Sequence, residues 1–136
     1  MSTKLKEKEE RILEILEKLA EESSKGKPII VEGKKDVKAL RLLDVKGTVL
    51  TVKTGGKSFL DTICEIENMS VPEVILFLDF DRRGREGTKY LKQSLERARI
   101  KPNIKLWRAL SALAGKEIQC IESITSYLQT LHEKLC

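Results

Sequence analysis

The stretch "VILFLDFDRRGREG", residues 74–87, decides the fold. Five apolar residues run straight into Asp79 and Asp81, and Arg82, Arg83 and Arg85 follow almost at once. A continuous apolar run closed by polar residues and glycine is the pattern of a strand buried on both faces, the kind found in parallel sheets. Working back along the chain, "PIIVEG" at 28–33 has the same form, and "TVLTV" at 48–52 is a β-branched run ended by "KTGGK". Amphipathic stretches separate them: "KKDVKALRLL", then "SFLDTICEIEN" with Ser58 as its N-cap, then "REGTKYLKQSLERARI" with Leu91 and Leu95 on one face. Further on, "NIKLW" at 103–107 alternates and reads as an edge strand. A short helical piece near "RALSALAG" and a final helix, "IESITSYLQTLHEKL", follow. Strand–helix alternation predicts an α/β, Rossmann-like fold: a central parallel sheet of about four strands with helices on both faces.

The ends of the chain read as helical additions. Residues 3–22 place Leu5, Ile12, Leu16 and Leu19 at helical spacing, with Leu13 and Ile15 widening the stripe. That helix either docks on the domain or serves a protein partner or a second copy of the chain. The expected organisation is an N-terminal helix and linker at 1–27, the α/β domain at 28–107, and a helical extension at 108–136 packed on the same domain.

Composition narrows the functional classes. The chain has 136 residues, enough for one domain with a real core. Its 26 Lys and Arg outnumber 21 Asp and Glu, and the net charge of +5 favours a polyanionic partner such as nucleic acid. Aromatics are only 4%, so the core must be aliphatic. Cys64, Cys120 and Cys136 form no CxxC pair and His132 is the sole histidine, which argues against structural zinc. Scattered cysteines, the lack of an apolar stretch near 18 residues and a charged N-terminus point to a cytoplasmic protein with no membrane span.

In a parallel sheet, ligands gather outside the carboxyl ends of the strands. Three loops lie there. The first carries Glu32, Gly33, Lys34, Lys35 and Asp36; the second Lys53, Thr54, Gly55, Gly56, Lys57 and Ser58. The third carries Asp79, Asp81, Arg82, Arg83, Gly84, Arg85 and Glu86. Asp79 and Asp81 point the same way by strand alternation. If the first and third strands are neighbours, Glu32 joins them, and three carboxylates in one place need a cation to stay ionised. Oxygen-only ligands suit Mg2+, with Mn2+ as a substitute. Lys34, Lys35, Lys57, Arg82, Arg83 and Arg85 are then placed to hold phosphate groups, and Gly33, Gly55, Gly56 and Gly84 to let backbone approach an anion. A nucleotide P-loop at "TGGKS" is disfavoured, because Thr51 stands where GxxxxGK[ST] needs glycine.

With "VEGKKD" and "LDFDRRGRE" in this order, the chain resembles the Toprim domain shared by topoisomerases and primases. "DRRGRE" is similar to the "DREGE" run of type IA topoisomerases, and the likeness spans about residues 28–107. Small stand-alone Toprim proteins are the nearest in style, together with the ribonuclease that matures bacterial 5S ribosomal RNA, which has a similar "VEGK.D" opening and a "TGG" after the second strand. The resemblance implies adjacent first and third strands, Mg2+ at Asp79 and Asp81, and Glu32 as general acid or base in phosphodiester chemistry. Tyr90 and Tyr127 lie in predicted helices without the extra domain a topoisomerase needs, and there is no room for a primase's zinc module. A nuclease acting on RNA or DNA is the most economical activity. Two alternatives stay open: a Toprim module that binds metal and nucleic acid without turnover in an RNA-processing or DNA-repair assembly, and a DxD phosphatase of the haloacid dehalogenase type. Trp107 is expected to pack at the sheet edge and Cys64 to be buried on its helix.

Overall fold

The computed structural model describes residues 3–52 and 59–135. Helix α1 (Thr3–Ser24) precedes strand β1 (Ile29–Val31), helix α2 (Lys34–Leu42) and strand β2 (Val49–Thr51). Helix α3 (Phe59–Met69), β3 (Glu73–Leu76), α4 (Arg82–Arg97) and β4 (Lys101–Asn103) follow. Helix α5 (Lys105–Ala114), a 3₁₀ turn at Ile121–Ser123 and α6 (Ile124–Leu135) complete the described chain.

The four strands are parallel, in the order β2-β1-β3-β4. The first and third strands are neighbours, with Ile29 opposite Ile75 and Ile30 opposite Leu76. Ile29, Ile30, Val31, Val74, Ile75 and Leu76 are all buried, which is why these two strands read as unbroken apolar runs. From β1 the chain goes out to β2 on one side, then returns to β3 on the other. The crevice between the carboxyl ends of β1 and β3 is therefore the topological switch point, where α/β sheets place ligands.

Helix α1 packs on α5 and α6. Ile12, Leu16 and Leu19 join Trp107, Leu110 and Leu131 in one hydrophobic cluster, each buried side chain contributing roughly 1.5–3 kcal/mol. Leu13, expected to widen the stripe, lies on the outer side and is 47% exposed. Among the described residues no helix is long and apolar enough to cross a membrane.

Two local expectations are corrected. The edge strand is Lys101–Asn103, so only Asn103 of "NIKLW" lies in it, Ile104 caps the next helix and Lys105–Trp107 open α5. The side chain of Asn103 accepts the Lys105 amide at 3.1 Å, and Trp107, Leu110 and Ala114 then face the core at helical spacing. Trp107 is buried there, its indole donating to the Leu78 carbonyl at 2.7 Å. Cys64 is exposed, because α3 turns Thr62, Ile63 and Ile66 inward and leaves residue 64 on the opposite face.

Candidate active site

Glu32 follows β1 directly, and the pairing of β1 with β3 extends past the strand through Phe77, whose amide donates to the Ile30 carbonyl at 2.9 Å. The register brings Asp79 alongside Glu32. Glu32 is 5% exposed, and its Oε2 accepts the Asp79 amide at 3.2 Å. Burial, and then the Glu32 side chain beside it, push the Asp79 carboxyl up to about 7. Two carboxylates pressed together in a half-buried crevice disfavour each other's charged form, which a bound cation would relieve.

The segment leading into the 3₁₀ turn closes over Asp79. Phe80 donates its amide to the Gln119 carbonyl at 2.7 Å, and Asp79 Oδ1 accepts the Ile121 amide at 3.1 Å. Asp36, in the first turn of α2, is buried and ties the same parts together. Its Oδ2 accepts the Gly33 amide at 3.0 Å and its Oδ1 the Glu122 amide at 3.2 Å. Burial pushes the Asp36 carboxyl up, against the pull of those two amides. Burial also raises the Cys120 thiol, with Asp79 and Glu122 next in effect, so it stays protonated and a poor nucleophile.

Asp81 takes a different task. It is the N-cap of α4, its Oδ1 accepting the Gly84 amide at 2.8 Å. Gly84 is demanded by packing, since a Cβ there would lie 2.0 Å from the Asp79 carbonyl oxygen. At Gly33, by contrast, a Cβ would meet nothing within 4 Å, so the backbone after Glu32 faces open space.

The basic residues spread around this centre. Lys34 and Lys35 line a recess of about 460 Å³ together with Glu32, Asp36, Asp79 and Glu122. Arg83 lines a separate recess that also touches Glu32. Arg85 faces a third, of about 440 Å³, beside Phe80, Ser111, Lys116 and Gln119. Arg82 pairs with Glu86 at 3.1 Å on the outside of α4. Lys57, Gly55 and Gly56 lie outside the described residues.

The structure thus brings Glu32 and Asp79 together with Gly33, Lys34 and Lys35, and places Asp81 two residues on, where one of its oxygens caps α4. Among the described residues no three His, Cys, Asp or Glu side chains are grouped so as to hold a metal ion. The donor set nevertheless fits Mg2+, which is commonly held by one or two carboxylates with water and substrate phosphate filling its other positions. The crowded Glu32–Asp79 pair is such a set.

Two contributors were missed as site residues. Asp36 stands three residues after the helix-capping Gly33, the capping-box position, and that spacing is a sequence signal. The Gln119–Glu122 segment offers only the acid Glu122 as a hint, since its contacts with Asp79 and Asp36 span 42 and 86 residues.

A Toprim domain family model matches residues 26–109. A UPF0292 protein of Methanocaldococcus jannaschii is 40% identical over 120 residues, covering 88% of this chain and 91% of that protein. A UPF0292 protein of Methanosarcina barkeri is 34% identical over 126 residues, covering 92% and 85%. A solved structure of a protein from Aquifex aeolicus superposes with a TM-score of 0.68 at 27% identity, covering 82% of this chain and 95% of that one. Toprim domains are associated with Mg2+ and nucleic acid, in keeping with the acidic pair and its basic surroundings. The chain belongs to the Toprim domain family, and to the UPF0292 proteins.

Proposed function

We propose that this chain is a Mg2+-dependent nuclease that hydrolyses phosphodiester bonds in RNA or DNA. The Glu32–Asp79 pair carries the reading: two carboxylates pressed together at the switch point, beside Lys34 and Lys35. Glu32 and Asp79 would hold Mg2+, which when bound neutralises their charge and polarises a phosphate oxygen. Lys34 and Lys35 bind the phosphate from the α2 side, and Arg83 binds its neighbour on the strand. The Asp79 amide orients the Glu32 carboxylate, so that it can take the proton of an attacking water. A bond forms from the water oxygen to phosphorus, the bond to the leaving sugar oxygen breaks, and Glu32 passes the proton it took from the water to that oxygen.

One observation favours a second reading, a module that binds metal and nucleic acid without turnover: Asp81 spends one carboxylate oxygen on capping α4, and among the described residues no three acidic side chains are grouped to hold a metal ion. Incubation of end-labelled structured RNA and single-stranded DNA with the chain, in Mg2+ or Mn2+, separates the two. Cleavage that falls by about 100-fold or more in Glu32→Gln and Asp79→Asn is the expected result. Binding without products after long incubation, or cleavage that survives Glu32→Gln, refutes the nuclease.

A further inference from the structure

Glu32 is a wall shared by two recesses. Opposite the lysines, the second has a volume of about 320 Å³ and is lined by Glu32, Phe59, Leu78, Arg83, Gly87 and Tyr90. Its aromatic side is unusual for this chain. Phe77, Phe80 and Trp107 are buried in the core, whereas Tyr90 is 46% exposed. The Tyr90 and Phe59 rings pair at 5.4 Å between centroids, tilted by 35°. Gly87 allows this wall to close, because a Cβ there would come within 3.1 Å of both Leu78 and Phe59. At the rim Arg83 makes no ion pair among the described residues, while its neighbour Arg82 is paired with Glu86.

We infer that this recess is a subsite for one unpaired nucleobase of the substrate, with the Tyr90 ring as its stacking platform and Arg83 on the adjoining phosphate. The inference rests on the nuclease reading above, which puts a phosphate at the Glu32–Asp79 pair. The nucleoside attached to that phosphate is one sugar away, and the shared Glu32 wall leads it into the recess. The volume lies at the low end for small-molecule pockets and suits a single base. A base stacked in a duplex has no free face for Tyr90, so the subsite selects single-stranded or extruded nucleotides. Stacking tolerates every base, which gives preference for strandedness without preference for sequence.

The test is binding of short single-stranded RNA and DNA oligonucleotides to the full chain, without Mg2+ so that the strands stay intact. Each carries either one 2-aminopurine or one abasic sugar at successive positions. One position should show quenched 2-aminopurine fluorescence, and an abasic sugar there should weaken binding about tenfold. Tyr90→Ala should bind the intact strand as weakly as the wild type binds the abasic one, and Tyr90→Phe should keep wild-type affinity. Equal affinity for intact and abasic strands, or unchanged affinity in Tyr90→Ala, overturns the subsite. Abasic discrimination in a chain that never cleaves supports the subsite and overturns the nuclease alone. Failure of the wild type to bind any strand overturns both.

Discussion

The carboxylate of Glu32 accepts the backbone amide of Asp79 at 3.2 Å, joining the ends of β1 and β3 across the switch point. That bond anchors the first strand to the third, and in doing so forces a second carboxylate against the first. Structure is gained from the amide while electrostatic repulsion is stored in the side chains. A proton or a cation relieves it.

The stored repulsion has a pH signature. Asp79 has an ordinary value of 3.8 and a folded value of about 7, raised by burial and by Glu32. Between those values the folded chain holds a proton that the unfolded chain has lost. Stability from this group is therefore fully present below about pH 4 and is lost as pH rises toward 7. Glu22 behaves oppositely: held at about 2 by Lys27 and then Lys25, it contributes above its ordinary 4.5 and weakens only in stronger acid. Asp79→Asn should remove the loss between pH 4.5 and 7. With a discount for partial exposure, the variant should melt roughly 4 °C above wild type at pH 8 without metal, about the shift that 1 kcal/mol produces in a domain of this size. Mg2+ at ten times its Kd should raise the wild-type Tm by a similar amount, about 1.4 kcal/mol, and leave Asp79→Asn unmoved. Melting curves of both proteins from pH 4.5 to 8, with and without Mg2+, decide it; parallel curves would sink the crowded-pair account.

Gly84 and Gly33 are both glycines expected to let backbone approach an anion, yet the structure asks different things of them. A methyl at 84 collides with the Asp79 carbonyl oxygen and must push α4 off the strand end. Gly84→Ala should cost about 1–3 kcal/mol in urea unfolding. A methyl at 33 enters open space, on extended backbone with φ of −147°. Gly33→Ala should stay within about 0.5 kcal/mol of wild type. If it nonetheless slows cleavage or weakens strand binding, the open space is where substrate approaches. Equal stability losses at the two sites would contradict the packing argument.

What could be read in the sequence followed from which forces are local. β1 and β3 are buried on both faces, so their residues form unbroken apolar runs with polar ends, and Glu32 and Asp79 stand at those ends. β4 is three residues long, contains Pro102 and lies at the sheet edge, so it carries almost no pattern. The residues around the start of α5 then imitate alternation, because Ile104 and Leu106 flank Lys105, and a five-residue window cannot separate that from the helical spacing of Ile104 and Trp107. The arginines show the same division. Their sign was legible, but whether each pairs with Glu86, lines the recess shared with Glu32 or lines the Phe80 recess depends on how α4 packs. Asp36 stood in the first loop, and its spacing from Gly33 marked no more than a helix start. Only the long-range approach of Glu122 makes it a buried clasp.

That clasp can be weighed. Asp36 spends one oxygen on the Gly33 amide, at the start of α2, and the other on the Glu122 amide, 86 residues away. Asp36→Ala leaves both amides without their acceptor, at a cost of about 1–3 kcal/mol. Asn keeps a single acceptor oxygen, so Asp36→Asn can satisfy one amide and should fall between wild type and Ala. The 3₁₀ turn is also held by the bond from the Ile121 amide to Asp79, so its loosening should reach the Glu32–Asp79 pair. Hydrogen exchange at Glu122 and Ile121 should therefore accelerate in Asp36→Ala, alongside exchange at Gly33. Acceleration confined to Gly33 would mean that Asp36 caps α2 and nothing more, and that the 3₁₀ turn reaches Asp79 without its help.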